Sequence, residues 1–172
     1  MRDVDGFAVA ESVELRPAID AFSHLTWPRP ADEVPVFAEQ LGWQMTREVA
    51  GKTTLPVNRP DVRFLVIDDE LVEVKFNVSD SLSYDVEIDA EGTARLRGAF
   101  TLAKTELRAL LGDPVGTRGG LVPSAWWDLA SGGRVRVEQL SHTVLLILAS
   151  RRAADIERTE AQFGISPDRV TR

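Results

Sequence analysis

The chain of 172 residues contains no cysteine. That excludes a disulfide framework, a thiolate metal site and a cysteine nucleophile. Histidine is scarce as well: His24 and His142 stand on different expected elements. Neither sits in a His-x-x-x-His or Asp-x-Asp-x-Asp spacing, so no metal is expected. Long apolar runs are missing. The longest, Thr143–Ala149, falls far short of the roughly 20 residues that a bilayer span needs, and it reads as a buried strand. No basic stretch followed by an apolar one opens the chain, so no secretory signal is expected and the predicted location is the cytoplasm. Positive charge is also in deficit, at net −7. That argues against a general nucleic-acid binder, because phosphate neutralisation needs clustered Lys and Arg.

What the chain has is acid in one place. Between Val66 and Glu91 stand nine carboxylates (Asp68, Asp69, Glu70, Glu73, Asp80, Asp85, Glu87, Asp89 and Glu91) against the single base Lys75, net −8. The remaining residues carry +1 between them. Two expected strands run through this segment, Leu71–Val78 and Ser83–Asp89. Alternation places Val72, Val74, Phe76 and Val78 on one face of the first, and Tyr84, Val86 and Ile88 on one face of the second. Glu73, Asp85, Glu87 and Asp89 then share the other face. Like charges on neighbouring strands destabilise a sheet, so the strip is either tolerated for solubility or used to receive a basic partner.

The rest of the chain reads as one α+β domain over residues 1–172, with residues 1–12 expected to fray. Helices are expected over Arg16–Leu25, Ala31–Leu41, Thr93–Leu111 and Arg152–Phe163. The third is the firmest, with Leu96, Ala99, Ala103, Leu107 and Leu110 at spacings of three and four and a stop at Gly112-Asp113-Pro114. A hairpin is expected across Trp43–Val57 around Ala50-Gly51-Lys52, followed by strands at Val62–Ile67, Ala125–Leu129, Arg134–Leu140 and Thr143–Leu148. The predicted architecture is a mainly antiparallel meander sheet of six to eight strands, with N-terminal, middle and C-terminal helices packed mostly on one face.

No constellation here specifies a reaction. Gly116-Thr117-Arg118-Gly119-Gly120 shares only its glycines with a phosphate loop, since no Gly-Lys-Ser/Thr ending and no helix follow. Carboxylates side by side on an open sheet face are solvated and ionised together, unlike a catalytic pair held in different environments. Trp126 and Trp127 on one strand must point to opposite faces. Either one of them is exposed as a binding anchor, or helices cover both rings. Arg134 and Arg136 alternate with Val135 and Val137 and are placed to neutralise part of the acidic strip.

The Leu41-Gly42-Trp43 ending of an N-terminal helix, the meander, the Leu-Gly-Asp-Pro close at Leu111–Pro114 and a Trp-bearing strand followed by an apolar one resemble small actinobacterial proteins of poorly characterised families. Some of these look like immunity partners of polymorphic secreted toxins. The resemblance spans residues 15–150 and carries over no catalytic residue. It implies a cytosolic, non-catalytic inhibitor that occludes the active site of a cognate toxin, a nuclease or an NAD-degrading enzyme, and needs no cofactor. The expected partner surface comprises Asp68, Asp69, Glu70, Glu73, Asp85, Glu87 and Asp89, with Trp126 or Trp127, facing a basic protein. Nucleic acid and membrane are not expected partners. Two other readings stay open: a secretion-chaperone-like protein with an apolar client groove, and a small-molecule-binding domain or enzyme with an enclosed pocket near His142, Trp127 and Arg118.

Overall fold

Two four-stranded meanders, one from each half of the chain, meet edge to edge. The computed structural model describes residues 1–85 and 87–164; residues 165–172 of the expected domain lie outside it. The first meander is β3 (Gln44–Arg47), β4 (Ala50–Lys52), β5 (Asp61–Ile67) and β6 (Glu70–Asn77). The second is β7 (Gly116–Arg118), β8 (Ser124–Asp128), β9 (Arg134–Gln139) and β10 (Val144–Ala149). Among the described residues they form one antiparallel sheet of order β3-β4-β5-β6-β10-β9-β8-β7. A separate hairpin, β1 (Arg2–Val4) and β2 (Phe7–Val9), precedes four helices: α1 (Ser12–Ser23), α2 (Val34–Gln40), α3 (Ala90–Leu111) and α4 (Arg151–Gln162). The α+β class and the antiparallel meander follow the sequence reading.

The seam between the meanders is the most apolar part of the chain. Leu146 lies opposite Phe76 and Leu148 opposite Val74, all four buried. Period-two alternation puts them on the same face as Val135, Val137, Ala125 and Trp127, and α3 covers this face with Leu96, Ala99, Ala103 and Leu107. Phe22 of α1 and Phe37 of α2 complete the same cluster. Helix α4 lies on the opposite face. There Ala153 packs on Val72 and Ala149, at a β-bulge where Leu65 faces Glu73 and Val66 faces Leu71, so that Val72 is the extra residue.

The N-terminal residues are not loose. Asp5 and Gly6 take positive φ of 53° and 77°, as a two-residue type I′ turn requires. Phe7, Ala8, Val9 and Ala10 are buried, and backbone bonds from Ala10 to Val78 and from Asp80 to Ala8 stitch the hairpin to the main body. Helix α1 begins four residues earlier than the periodicity predicts, because Glu11 and Glu14 form a reciprocal capping box. The first hairpin of the sheet turns at Glu48–Val49 rather than around Gly51. Gly51 is inside β4, where a Cβ would come 2.5 Å from the Gln44 carbonyl oxygen. Thr53–Val57 forms no strand.

Gly98 weakens α3 in propensity terms, and the structure gives the reason for it. A Cβ there would meet Val4 Cγ1 at 2.7 Å, so the glycine seats the N-terminal hairpin on the helix. In an open helix Gly→Ala gains roughly 0.5–1 kcal/mol. Gly98→Ala is expected to yield none of that gain in urea unfolding, and Gly98→Ala combined with Val4→Ala to recover most of it. Full stabilisation from the single substitution would refute the contact.

Candidate functional site

The structure divides the acidic segment into three parts. Asp68 and Asp69 form the β5–β6 turn, both at positive φ (54° and 60°). Asp68 pairs with Arg152 of α4 at 3.0 Å, and Glu70 reaches the same guanidinium at 3.6 Å. Glu73, on β6, is buried and is held by Lys75 at 2.6 Å and Arg136 at 3.9 Å. The first strand's acid is therefore largely neutralised within the fold.

The second expected strand does not form. Residues 83–85 and 87–89 are a turn and an irregular connection, and Val86, at the middle of that expected strand, lies outside the described residues. The edge of β6 that such a strand would need is taken by the far more apolar β10, which avoids placing carboxylates beside Glu73. Asp89 instead caps α3, its Oδ1 accepting from the Gly92 N–H at 2.7 Å. The helix consequently starts at Ala90, ahead of the expected Thr93. What stays open is a short acidic connection. Asp85, Glu87 and Asp89 are exposed and enter no ion pair among the described residues, and Glu91 pairs with Arg95 one turn along.

This connection borders a groove at the start of α3. A recess of about 340 Å³ runs between Leu82, Glu87, Asp89 and Arg95. Through Ile88 it continues into a second, of about 530 Å³, lined by Leu96, Leu121, Val122 and Leu140. Leu121 is 99% exposed in the β7–β8 connection, just after Gly119 and Gly120. A fully solvated leucine thus stands beside a groove whose rim carries Glu87 and Asp89.

The tryptophan pair resolves as the alternation requires. Trp127 is 2% exposed, and its Nε1–H donates to the Gly112 carbonyl at 2.9 Å. It is a core residue that ties β8 to the end of α3. Trp126 points to the other face and is half-buried. Its ring lies over Gly116, where a Cβ would come 2.2 Å from it, and Arg134 stands 5.8 Å from its centroid. Neither ring joins the acidic connection. Trp126 shares a shallow recess of about 120 Å³ with Arg118, Arg134, Arg136 and Glu157. Arg118 is thus on the face opposite Trp127, and the pocket expected around His142, Trp127 and Arg118 is not assembled.

Beneath α4 lies an ionic cluster. Glu157 contacts both Arg134, at 2.9 Å, and Arg136; Arg136 also meets Glu138 at 2.9 Å. At its edge Asp128 accepts from Arg134 at 2.8 Å and pairs with Arg158 at 3.1 Å. Burial alone would push the Asp128 carboxyl up, but the bonds from Arg134 and Arg158 outweigh it and hold it below the usual carboxylate range. A depressed folded-state pKa stabilises above the unfolded value of about 4. That contribution is lost as pH falls through the folded value. Asp128→Asn is therefore expected to flatten the acid limb of the stability profile below about pH 4, as read by thermal melts across pH; an unchanged limb would contradict the pairing.

The other polar candidates are structural. Glu106 of α3 is buried, accepting from the Ser12 N–H at 2.8 Å and pairing with Arg2 at 3.1 Å. Nothing in its local sequence marks that role. Glu157 does carry a sequence signal, since it falls on the α4 face of Ala153 and Ala154. His24 bonds the Asp20 carbonyl, and His142 stacks on Tyr84. Among the described residues no cluster of His, Asp and Glu is arranged to hold a metal ion, and no helix is long and apolar enough to cross a membrane.

No curated protein and no solved structure matches this chain. One family model does, over residues 13–150, from the start of α1 through β10. By that match the chain belongs to a family of unknown function, DUF6301.

Proposed function

We propose that this protein is a non-catalytic binding module that docks a basic protein through the groove at the start of α3. The observation that carries the reading is the juxtaposition of Glu87 and Asp89, exposed and in no ion pair among the described residues, with the solvated Leu121 along one groove, Asp85 standing exposed in the same connection. Carboxylates at the rim accelerate encounter with a basic surface, while an apolar contact at the centre slows dissociation. The resemblance to immunity proteins makes the partner a secreted toxin enzyme with a cationic cleft, bound in the cytosol so that its active site is covered. The buried carboxylates Glu73 and Glu106 spend their oxygens on internal partners, which supports a non-catalytic role.

The test is capture of the product of the neighbouring gene by the tagged protein at low and high salt. Asp85→Lys with Glu87→Lys is expected to weaken binding on the order of 10–100-fold, mostly through the association rate, and to abolish its salt dependence. Leu121→Asp is expected to raise the dissociation rate. Charge reversal that leaves affinity and salt dependence untouched sinks the reading. Binding lost with Leu121→Asp but indifferent to salt favours a chaperone-like hold on an apolar client.

A further inference from the structure

The open half of the second sheet face carries the opposite charge. Arg63 of β5 stands directly across from Lys75 of β6, and like charges in that position destabilise a sheet. Lys75 is relieved by Glu73. Arg63 enters no ion pair among the described residues. Beside them Arg59 is fixed twice: Asn77 Nδ2 donates to its carbonyl at 2.9 Å, and its guanidinium lies 4.8 Å over the Tyr84 ring. Tyr84 stacks in turn on His142, with centroids 4.4 Å apart and planes 17° from parallel. Arg59, Arg63, Lys75 and Tyr84 line a recess of about 430 Å³ together with Leu145 and the carboxylate Asp61.

We propose that this recess binds a small phosphate ester with a compact apolar or aromatic body. A carboxylate presents two oxygens and is satisfied by one guanidinium fork. A phosphate presents three, which suits two guanidinium groups and an ammonium that line one recess from separate elements. Leu145 and the Tyr84 edge take the organic part, and the size falls in the range of small-ligand sites. In a chain of net −7, a recess that gathers three cations, Arg59 held over Tyr84 and Lys75 held by Glu73, is a local reversal of charge. It does not depend on the partner surface proposed above.

Tyr84 is the single tyrosine of the chain, so its ring proton signals report on the recess directly. The full chain is titrated at constant ionic strength with phenyl phosphate, inorganic phosphate and benzoate, following Tyr84 and His142 by NMR. Saturable shifts are expected, with phenyl phosphate tightest, inorganic phosphate weaker and benzoate weakest. Arg63→Ala is expected to weaken phenyl phosphate by about tenfold, the worth of one charge-assisted bond. Arg47→Ala, an exposed cation on β3, leaves it unchanged. Absence of saturation, benzoate binding as tightly as phenyl phosphate, or equal losses from Arg47→Ala and Arg63→Ala would each overturn the proposal. Partner capture through Asp85 and Glu87 is expected to be indifferent to Arg63→Ala, so failure of either idea is visible separately.

Discussion

Replacing Arg136 with alanine is expected to lower the unfolding free energy by about 3–5 kcal/mol, the usual cost of breaking a buried ion pair from one side. The side chain is 16% exposed and sits among three carboxylates, Glu157, Glu138 and Glu73. Burial by itself would push the guanidinium down, yet Glu157, Glu138 and Glu73 outweigh it and hold it above its ordinary value. Without Arg136, Glu73 and Glu138 on the sheet and Glu157 on α4 are left together with Lys75 and Arg134 as nearby cations. Helix α4 depends on this cluster, since the residues it buries are small, Ala153 and Ala154, and bring little apolar area. The amides of α4 are therefore expected to lose hydrogen-exchange protection first, ahead of β6 and β10. In Arg136→Ala with Glu157→Ala the loss is expected to be less than the sum of the single losses, because one unpaired acid has gone. A single-substitution loss below about 1 kcal/mol in urea unfolding would mean that the cluster behaves as a solvated surface network, and that α4 is held by something else.

The same cluster shows which parts of the fold could be read from the sequence. Strand β6 and helix α3 were legible because each carries its own periodicity, from which burial of one face follows, and β10 because it is an unbroken apolar run. Alternation also predicted Arg134 and Arg136 opposite Val135 and Val137, and split the tryptophans between two faces. What it could not supply was adjacency. Tyr84, Val86 and Ile88 alternate like a strand, but whether a strand forms there depends on which segment pairs with β6, and that place went to β10, more than 60 residues away in sequence. By alternation Asp89 is one more carboxylate of a strip, but the Gly92 N–H three residues later makes it a helix cap. The acidic surface consequently shrank from a sheet face to a short connection. The cationic recess has no signature in the sequence for the same reason, since Arg59, Arg63, Lys75 and Tyr84 come from different elements, and no spacing joins them. Asp5-Gly6, by contrast, is a hairpin signal, and the apolar run Phe7–Ala10 that follows it anchors the start that was expected to fray.

The adjacent tryptophans allow the sharpest test of the sheet itself. Trp127→Ala is expected to cost about 3–5 kcal/mol, as for other large aromatic truncations in cores. Its ring is enclosed by the main cluster, and its Nε1–H satisfies the Gly112 carbonyl at the end of α3. Trp127→Phe keeps an aromatic ring but leaves that carbonyl without its donor, at about 1–3 kcal/mol. Trp126→Ala, one residue away, removes a half-buried ring that lies over Gly116 on the other face. Its cost is expected to stay below about 1.5 kcal/mol, within the ordinary range for partly exposed positions. Denaturant midpoints at constant m separate the three variants. Equal losses at the two positions would mean that both rings are core and that the second face is covered around β8. The predicted inequality would place Trp126 at the edge of an accessible face, with Trp127 alone tying β8 into the core.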